Sequence, residues 1–131
     1  MQYEEKKSLS NVRLANARDC LKSAKTLLAA ESYKGAANRS YYAVFHAMRA
    51  VLAMDEIDMK HHSGIISEFR RRYIKTGTLD TKLSDIITAA YDLRTDSDYN
   101  DFYVVSKRDV SEQVESAEYF LDAIQSYLET V

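Results

Sequence analysis

An arginine and a histidine lie seven residues apart in a segment whose apolar spacing predicts a helix. Arg39 and His46 are separated by nearly two helical turns, so they share one face, roughly 10 Å apart along the axis. Tyr42 lies between them on that face. Burying a guanidinium, a phenol and an imidazole together is unfavourable unless each group is hydrogen-bonded. The stripe therefore indicates either a buried polar network or a functional site.

Arg39 and His46 together could cleave RNA without a metal ion. A histidine whose pKa lies near neutrality can act as a general acid or base. An arginine beside it can bind a phosphate and stabilise negative charge in a transition state. The ribose 2′-hydroxyl would be the nucleophile. Spacing alone favours a buried polar cluster that ties helices together, and both interpretations stay open at this point.

A second group of polar residues follows the fourth predicted helix. Arg94 is predicted to end that helix, where a positive charge suits the helix dipole. Asp98 and Tyr99 come shortly afterwards. A carboxylate within reach of Arg94 or Arg39 would neutralise that guanidinium. An ion pair that locks the loop is the simpler interpretation, and a catalytic role is the alternative.

Three consecutive arginines, Arg70–Arg72, form a basic run on the third predicted helix. Phe69 and Tyr73 are expected to face inward, so at least two of the arginines should face solvent. A solvated helix face is the default interpretation. A phosphate-binding patch is the sharper one, because affinity for RNA depends mainly on local positive charge.

Neither a metal nor a cofactor is expected. His61 and His62 have Asp58 nearby, but adjacent residues point in different directions and no second cluster stands at ligand spacing. Cys20 is the only cysteine. Its place in an apolar helical pattern predicts a small core residue, and a lone cysteine suits a reducing cytosol.

Composition predicts an all-α fold. The 131 residues include no proline and only three glycines, whereas a domain rich in β-turns needs both. Apolar residues that step by three and four predict five helices: about Leu9–Ala30, Tyr33–Met54, Gly64–Lys75, Thr81–Arg94 and Lys107–Leu128. Their short connections favour an up-down bundle of four to five helices in a single domain over residues 1–131.

The residues that cap two of the helices, and the packing of residues 95–106, can also be predicted. Ser8 or Ser10 could cap the first helix, and Asp80 is a natural N-cap for the fourth. Residues 95–106 are polar and turn-like but hold five apolar or aromatic residues, so this segment is expected to fold back onto the helices.

The net charge of −2 excludes a chain that binds nucleic acid through a basic character spread over the whole molecule. Any contact with RNA would have to be local. No apolar run approaches the roughly 20 residues that span a membrane, and the charged N-terminus lacks the apolar core of a signal peptide. A cytoplasmic protein without a membrane association is expected.

Three separate motifs, in this order and at this spacing, resemble the HEPN family (higher eukaryotes and prokaryotes nucleotide-binding domain). They are Ala37–Ala47 on the second helix, Lys60–Gly64 with Phe69 and Lys75–Gly77 on the third, and Leu93–Arg94 with Ser97–Tyr99 after the fourth. The resemblance covers nearly the whole chain. It is to the small stand-alone prokaryotic type, often encoded beside a minimal nucleotidyltransferase.

The resemblance implies a helical bundle that forms a homodimer. It also implies metal-independent RNase activity in a toxin–antitoxin or defence setting. In active members an Arg-x4-6-His motif carries cleavage at the dimer cleft. Here it maps onto Arg39 for phosphate contact and His46 for acid–base chemistry, and the residues expected to support them are Tyr42, Arg94, Asp98 and Tyr99.

The partners that the resemblance implies are a minimal nucleotidyltransferase acting as antitoxin, and RNA or a nucleotide. A different class of function is also consistent with the same residues. In that alternative the chain is a non-catalytic helical adaptor whose polar face holds a nucleotide or a partner protein. An RNase site must be open to solvent, whereas a purely structural network would bury Arg39 and His46 completely.

Overall fold

Five α-helices and no strand make up the protein, whose structure is a computed structural model that describes residues 1–131. The helices are α1 (Tyr3–Ala29), α2 (Tyr33–Ala53), α3 (His62–Phe69), α4 (Lys82–Tyr99) and α5 (Lys107–Leu128). A π-helical turn at Arg70–Ile74 continues α3. The predicted all-α architecture is confirmed. None of the helices combines the length and the apolar character needed to cross a bilayer.

The central element is α2, which packs against all four other helices. Thirteen of its 21 residues are buried, far more than one face of a surface helix would provide. Alanines at 43, 47 and 50 are completely buried and allow the neighbouring helices to approach closely. The polar face of α2 is therefore a narrow strip between packed neighbours.

The long helices run up and down. Ser10 near the start of α1 donates a hydrogen bond to the carbonyl of Ala50 near the end of α2, and Cys20 lies beside Arg39 towards the opposite ends. Contacts between α1 and α5 and between α2 and α4 show the same reversal of direction: Lys25–Glu118, Arg18–Asp122, Asn38–Asp98 and Tyr42–Arg94. The expected up-down topology is thus present.

The first helix begins earlier than the apolar pattern predicts. α1 starts at Tyr3, and neither Ser8 nor Ser10 caps it. Ser10 is fully buried and uses its hydroxyl to hold α2, at an Oγ–O distance of 2.7 Å. Glu4 and Glu5 lie in the first turn, where negative charge suits the helix dipole. The charged N-terminal residues are therefore helical despite having no apolar stripe.

The fourth helix begins close to the predicted residue. Thr81 occupies the N-cap position, one residue after the predicted Asp80. Asp80 still performs part of the capping, because its Oδ1 accepts a hydrogen bond from the backbone N–H of Lys82 at 2.8 Å.

The end of α4 differs from the prediction in a way that matters for the site. The helix continues past Arg94 to Tyr99. Arg94 and Asp98 form an ion pair one turn apart, and Ser97 is buried, so the polar segment stays helical. The expectation that the segment folds back is wrong for Phe102 and Val104, which are 96% and 86% exposed.

Candidate functional site

The polar strip of α2 carries Arg39, Tyr42 and His46 in a row. The guanidinium carbon of Arg39 lies 5.1 Å from the centre of the Tyr42 ring, and the rings of Tyr42 and His46 are 6.1 Å apart. All three side chains are half-buried. They are therefore accessible to a ligand and yet held by their neighbours, as a site on a narrow strip requires.

A neutral partner orients Arg39. Its Nε and Nη2 donate to the side-chain oxygen of Asn38 at 3.0 and 2.7 Å. Its Nη1 lies 4.0 Å from the sulfur of Cys20 on α1. No carboxylate comes within ion-pair distance of Arg39, so its positive charge is fixed in direction but not cancelled.

Arg94 reaches the same strip from α4, and its charge is cancelled. Its Nε lies 3.0 Å from Asp98 Oδ2, and the two side chains are 16% and 20% exposed. This Nε has no hydrogen-bond partner in good alignment, so the pair is held mainly by the attraction of the charges. Asn38 donates to the same carboxylate oxygen at 3.3 Å and so connects Arg39 to the Arg94–Asp98 pair.

Aromatic rings surround the guanidinium of Arg94. Its carbon lies 5.5, 5.6 and 5.4 Å from the ring centres of Tyr41, Tyr42 and Tyr99. Its Nη2 also donates to the hydroxyl of Tyr42 at 3.4 Å. The predicted supporting residues therefore meet around Arg94, although Tyr99 itself is 71% exposed.

A set of charges beside His46 was not predicted from the sequence. Arg49 Nη1 lies 3.5 Å from His46 Nδ1, and Arg49 also pairs with Asp58 at 3.5 Å. Asp58 pairs in addition with the buried Arg13 at 3.3 Å. Arg49 follows His46 by three residues, a helical spacing that could have identified it. The contribution of Arg13 from α1 leaves no signal in the spacing of α2.

A second imidazole, that of His62, packs against the same strip. Its ring lies 4.1 Å from that of Phe45, and its Nδ1 is 3.1 Å from the hydroxyl of Tyr41. From the sequence, His62 was considered as a metal ligand and as part of the Lys60–Gly64 motif, and not as a neighbour of His46. No group of three or more His, Cys, Asp or Glu side chains is placed to hold a metal ion.

Both imidazoles favour the neutral form. Burial lowers the pKa of His46, and the charges of Arg49 and Arg39 lower it further. Burial likewise lowers the pKa of His62, with smaller contributions from Arg94 and Arg49. Because the ordinary pKa of histidine is 6.5, a lowered value leaves each ring uncharged near neutral pH. An uncharged ring can accept a proton from a substrate.

The lone pair of His46 can be assigned to one nitrogen. An arginine N–H only donates, so the contact with Arg49 places the lone pair on Nδ1 and the proton on Nε2. At 3.5 Å this contact is at the limit of a hydrogen bond and holds the lone pair weakly. The strip thus combines an available base with an arginine whose charge is uncancelled.

Comparison with known proteins gives a consistent family. The model of the HEPN domain matches residues 10–127. The chain is similar to the "UPF0332 protein" of Thermotoga maritima, with 33% identity over 125 residues, 95% of each chain. It is also similar to "Putative toxin MJ0142" of Methanocaldococcus jannaschii, with 30% identity over 98% of this chain and 86% of the relative. "Putative toxin MJ0605" of the same organism shows 32% identity over 88% and 85%.

Proposed function

The chain belongs to the HEPN domain family, and on that premise we propose that it is a metal-independent endoribonuclease acting as the toxin of a two-component system. The observation that carries the proposal is the row on α2. There, Arg39 keeps an uncancelled charge and His46 keeps a neutral ring. A phosphate and a proton donor are the ligands that such a pair accepts.

In the proposed reaction the neutral imidazole of His46 accepts the proton of a ribose 2′-hydroxyl. The 2′ oxygen then attacks the adjacent phosphorus, and the bond from phosphorus to the 5′ oxygen breaks. The proton that left the 2′ oxygen ends on the 5′ oxygen. The products are a 2′,3′-cyclic phosphate and a 5′-hydroxyl, so no water is consumed in this step and no oxidant or reductant is needed.

The charges around His46 suit that transition state. Arg13, Arg39 and Arg49 all lower the pKa of His46, so each lies close enough for its charge to act on the ring. A phosphate bound there would stabilise the protonated ring and offset their effect. Negative charge that develops on the phosphate would be stabilised by Arg39, whose position is fixed before substrate binds, whereas Arg49 shares its charge with Asp58.

A partner protein and a second copy complete the proposal. Two similar proteins carry the name of a toxin, which supports an antitoxin partner, here a minimal nucleotidyltransferase. We also propose a homodimer. Tyr99 lies beside Arg94, and Tyr99, Phe102 and Val104 expose apolar or aromatic surface that a second copy would cover.

The test is cleavage of RNA by the purified chain in excess EDTA. His46→Ala is expected to lower the rate by about 10²–10⁴-fold, because it removes the proton acceptor. His61→Ala is the matched control, since His61 is exposed and contacts none of the strip. Circular dichroism of both variants should match the original chain, and the products should carry 2′,3′-cyclic phosphate ends.

Cleavage that survives His46→Ala would overturn the assignment of the base. If the original chain does not cleave RNA in the presence or absence of EDTA, the nuclease proposal is wrong. Co-purification of the chain with a co-expressed minimal nucleotidyltransferase, or failure to co-purify, tests the partner separately.

One observation favours the alternative of a non-catalytic binding module. The network through Asn38 links Arg39 to Arg94 and Asp98, so much of the strip is already bonded within the protein. A module of this kind would bind a nucleotide or a partner without cutting RNA. The absence of cleavage, together with nucleotide binding that Arg39→Gln abolishes, would identify it.

A further inference from the structure

The nine arginines of the chain fall into two groups, those with a carboxylate partner and those without one. Seven of them lie within ion-pair distance of at least one carboxylate: Arg13, Arg18, Arg49, Arg71, Arg72, Arg94 and Arg108. Only Arg39 and Arg70 have none. Arg39 belongs to the strip on α2, and Arg70 lies at the start of the π-helical turn after α3. An arginine without a carboxylate partner therefore occurs at a second place in the molecule.

Neutral groups on α4 hold Arg70 in position. Its Nε donates to the hydroxyl of Ser84 at 2.9 Å, and its Nη2 donates to the Ser84 carbonyl at 3.0 Å. Nη2 also donates to the hydroxyl of Thr88 at 2.6 Å. None of these acceptors carries a charge, and Nη1 makes no hydrogen bond within the protein. The guanidinium is therefore oriented, without a carboxylate that would neutralise it, and free to donate to an anion.

The two arginines that follow Arg70 do not share this property. Glu68 accepts from Arg71 at 2.8 Å and from Arg72 at 2.9 Å. Arg72 is also near Asp55, at 3.9 Å. Within the basic run, only Arg70 therefore has a charge that no carboxylate neutralises and that can attract an anionic ligand.

Arg70 lines a groove of about 520 Å³ between α4 and the segment formed by α3 with its π-helical turn. The charged residues of the groove are Arg70, Arg71, Lys75 and Asp92, three cations against one carboxylate. By contrast, the groove between α4 and α5 is lined by four carboxylates and no cation: Asp92, Asp96, Asp109 and Glu112. Positive charge is thus concentrated on one side of α4.

The groove adjoins the strip on α2. Tyr91 lines the groove, and its ring lies 5.9 Å from that of Tyr41, whose hydroxyl contacts His62. Ser63, the residue after His62, also lines the groove. Thr88, which holds Arg70, precedes Arg94 by six residues, about 9 Å along the helix axis and about two-thirds of a turn around it. A short stretch of a polymer could contact both places at once.

We propose that this groove binds a second phosphate of the same single-stranded RNA whose scissile phosphate lies at Arg39 and His46, with Arg70 as the main phosphate ligand. This inference rests on the proposed function. Lys75 adds positive charge, and the exposed ring of Tyr91 offers a surface on which a base can stack. A duplex would not present its bases to Tyr91, so the groove favours a single strand.

Binding of 2′-O-methyl RNA, which lacks the nucleophile, tests the inference without cleavage. Fluorescence anisotropy would compare oligonucleotides of about 4 and about 12 nucleotides. Arg70→Gln is expected to weaken binding of the longer oligonucleotide about tenfold and to lower the slope of log affinity against log salt by about 1. Binding of the shorter oligonucleotide at the strip should change by less than about twofold.

Two further variants keep the result interpretable. Arg108→Gln removes the same charge at an exposed position on α5 and should have little effect. Lys75→Gln changes an exposed groove residue that makes no side-chain bond, so it cannot act through folding, and it should weaken binding of the longer oligonucleotide several-fold.

The possible results distinguish the second phosphate site in the groove from the proposed function of the strip. If Arg70→Gln and Lys75→Gln bind the longer oligonucleotide as Arg108→Gln does, the second phosphate site is wrong. If Arg39→Gln still weakens binding, the proposed function survives that result. If Arg39→Gln has no effect while Arg70→Gln does, the scissile phosphate is misplaced and the groove stands. An original chain that binds neither oligonucleotide overturns both.

Discussion

Arg39 and Arg94 both lie beside the ring of Tyr42 and differ in what holds them. The Tyr42 ring is 5.1 Å from one guanidinium and 5.6 Å from the other. Asn38, a neutral amide, orients Arg39, whereas a carboxylate, Asp98, neutralises Arg94. The same Asn38 side chain touches both regions, because it accepts from Arg39 and donates to Asp98. One amide therefore lies between two regions. In the open region the charge of Arg39 has no carboxylate partner, and in the closed region the charge of Arg94 is neutralised by Asp98.

The difference shows how one residue type serves two purposes within a few ångströms. A guanidinium with a carboxylate partner keeps little attraction for an outside anion. A guanidinium with an amide partner loses its freedom of movement but keeps its charge, as a binding site for phosphate requires. Arg70, held by hydroxyl and carbonyl oxygens, repeats the second arrangement.

The largest effect is expected when the closed region is broken. Arg94→Gln leaves the mostly buried carboxylate of Asp98 without its counter-charge and removes the link to Tyr42. We expect the free energy of unfolding to fall by about 2 kcal/mol, between the values for exposed and fully buried pairs. Urea unfolding measures it. Arg108→Gln, which breaks an exposed pair on α5, should change stability by less than about 0.5 kcal/mol.

A single substitution can convert the open region into a closed one. Asn38→Asp gives Arg39 a carboxylate partner and also places that charge against Asp98. The affinity for 2′-O-methyl RNA is expected to fall about tenfold, or about 1.4 kcal/mol, although no arginine is removed. Asn38→Ala is the control, because it frees Arg39 without cancelling its charge and should cost less affinity. Equal losses in the two variants would show that orientation, and not charge, distinguishes the regions.

The histidines make stability depend on pH. His46 and His62 both have folded-state pKa values lowered from 6.5, so the unfolded chain takes up protons first as the pH falls. Stability is therefore complete above about pH 6.5 and declines below it, by at most about 1.4 kcal/mol per pH unit for each group. Urea unfolding at several pH values should show a shallower decline for His62→Gln than for the original chain. An unchanged decline would mean that other groups cause it.

Of the two arginines beside Tyr42, Arg39 is expected to have the smaller effect on stability. Arg39→Gln removes hydrogen bonds to an adjacent residue and one contact with an aromatic ring, and no carboxylate is left unpaired. The free energy of unfolding should change by less than about 1 kcal/mol. A loss as large as that of Arg94→Gln would erase the distinction between the two regions.

The row on α2 could be predicted because it lies within one helix. The spacing of Arg39, Tyr42 and His46 fixes their shared face, and the structure places them in that order. The bonds that decide their chemistry cross between helices. Arg94 and Asp98 reach the strip only because α4 stays helical to Tyr99, whereas Ser and Asp are residues that commonly end helices. Tertiary packing overrode that local preference.

In the basic run Arg70–Arg72, too, pairs within a helix could be predicted and contacts with another helix could not. The pairing of Glu68 with Arg71 and Arg72 follows from spacings of three and four on a helix. Arg70 looks the same in the sequence, but its partners Ser84 and Thr88 lie on another helix. The prediction that a phosphate-binding patch lies somewhere in the run could be made, whereas the residue that carries it could not.

Cys20 provides a way to observe motion beside the strip. It is the only thiol of the chain, it is buried between α1 and α2, and burial raises its pKa. A buried, protonated thiol reacts with alkylating reagents only during transient opening. Its labelling rate under native conditions therefore reports how often α1 separates from α2 next to Arg39. A ligand that holds α1 and α2 together here should slow the labelling in proportion to its occupancy. Because Cys20 is native to the chain, the measurement needs no introduced cysteine.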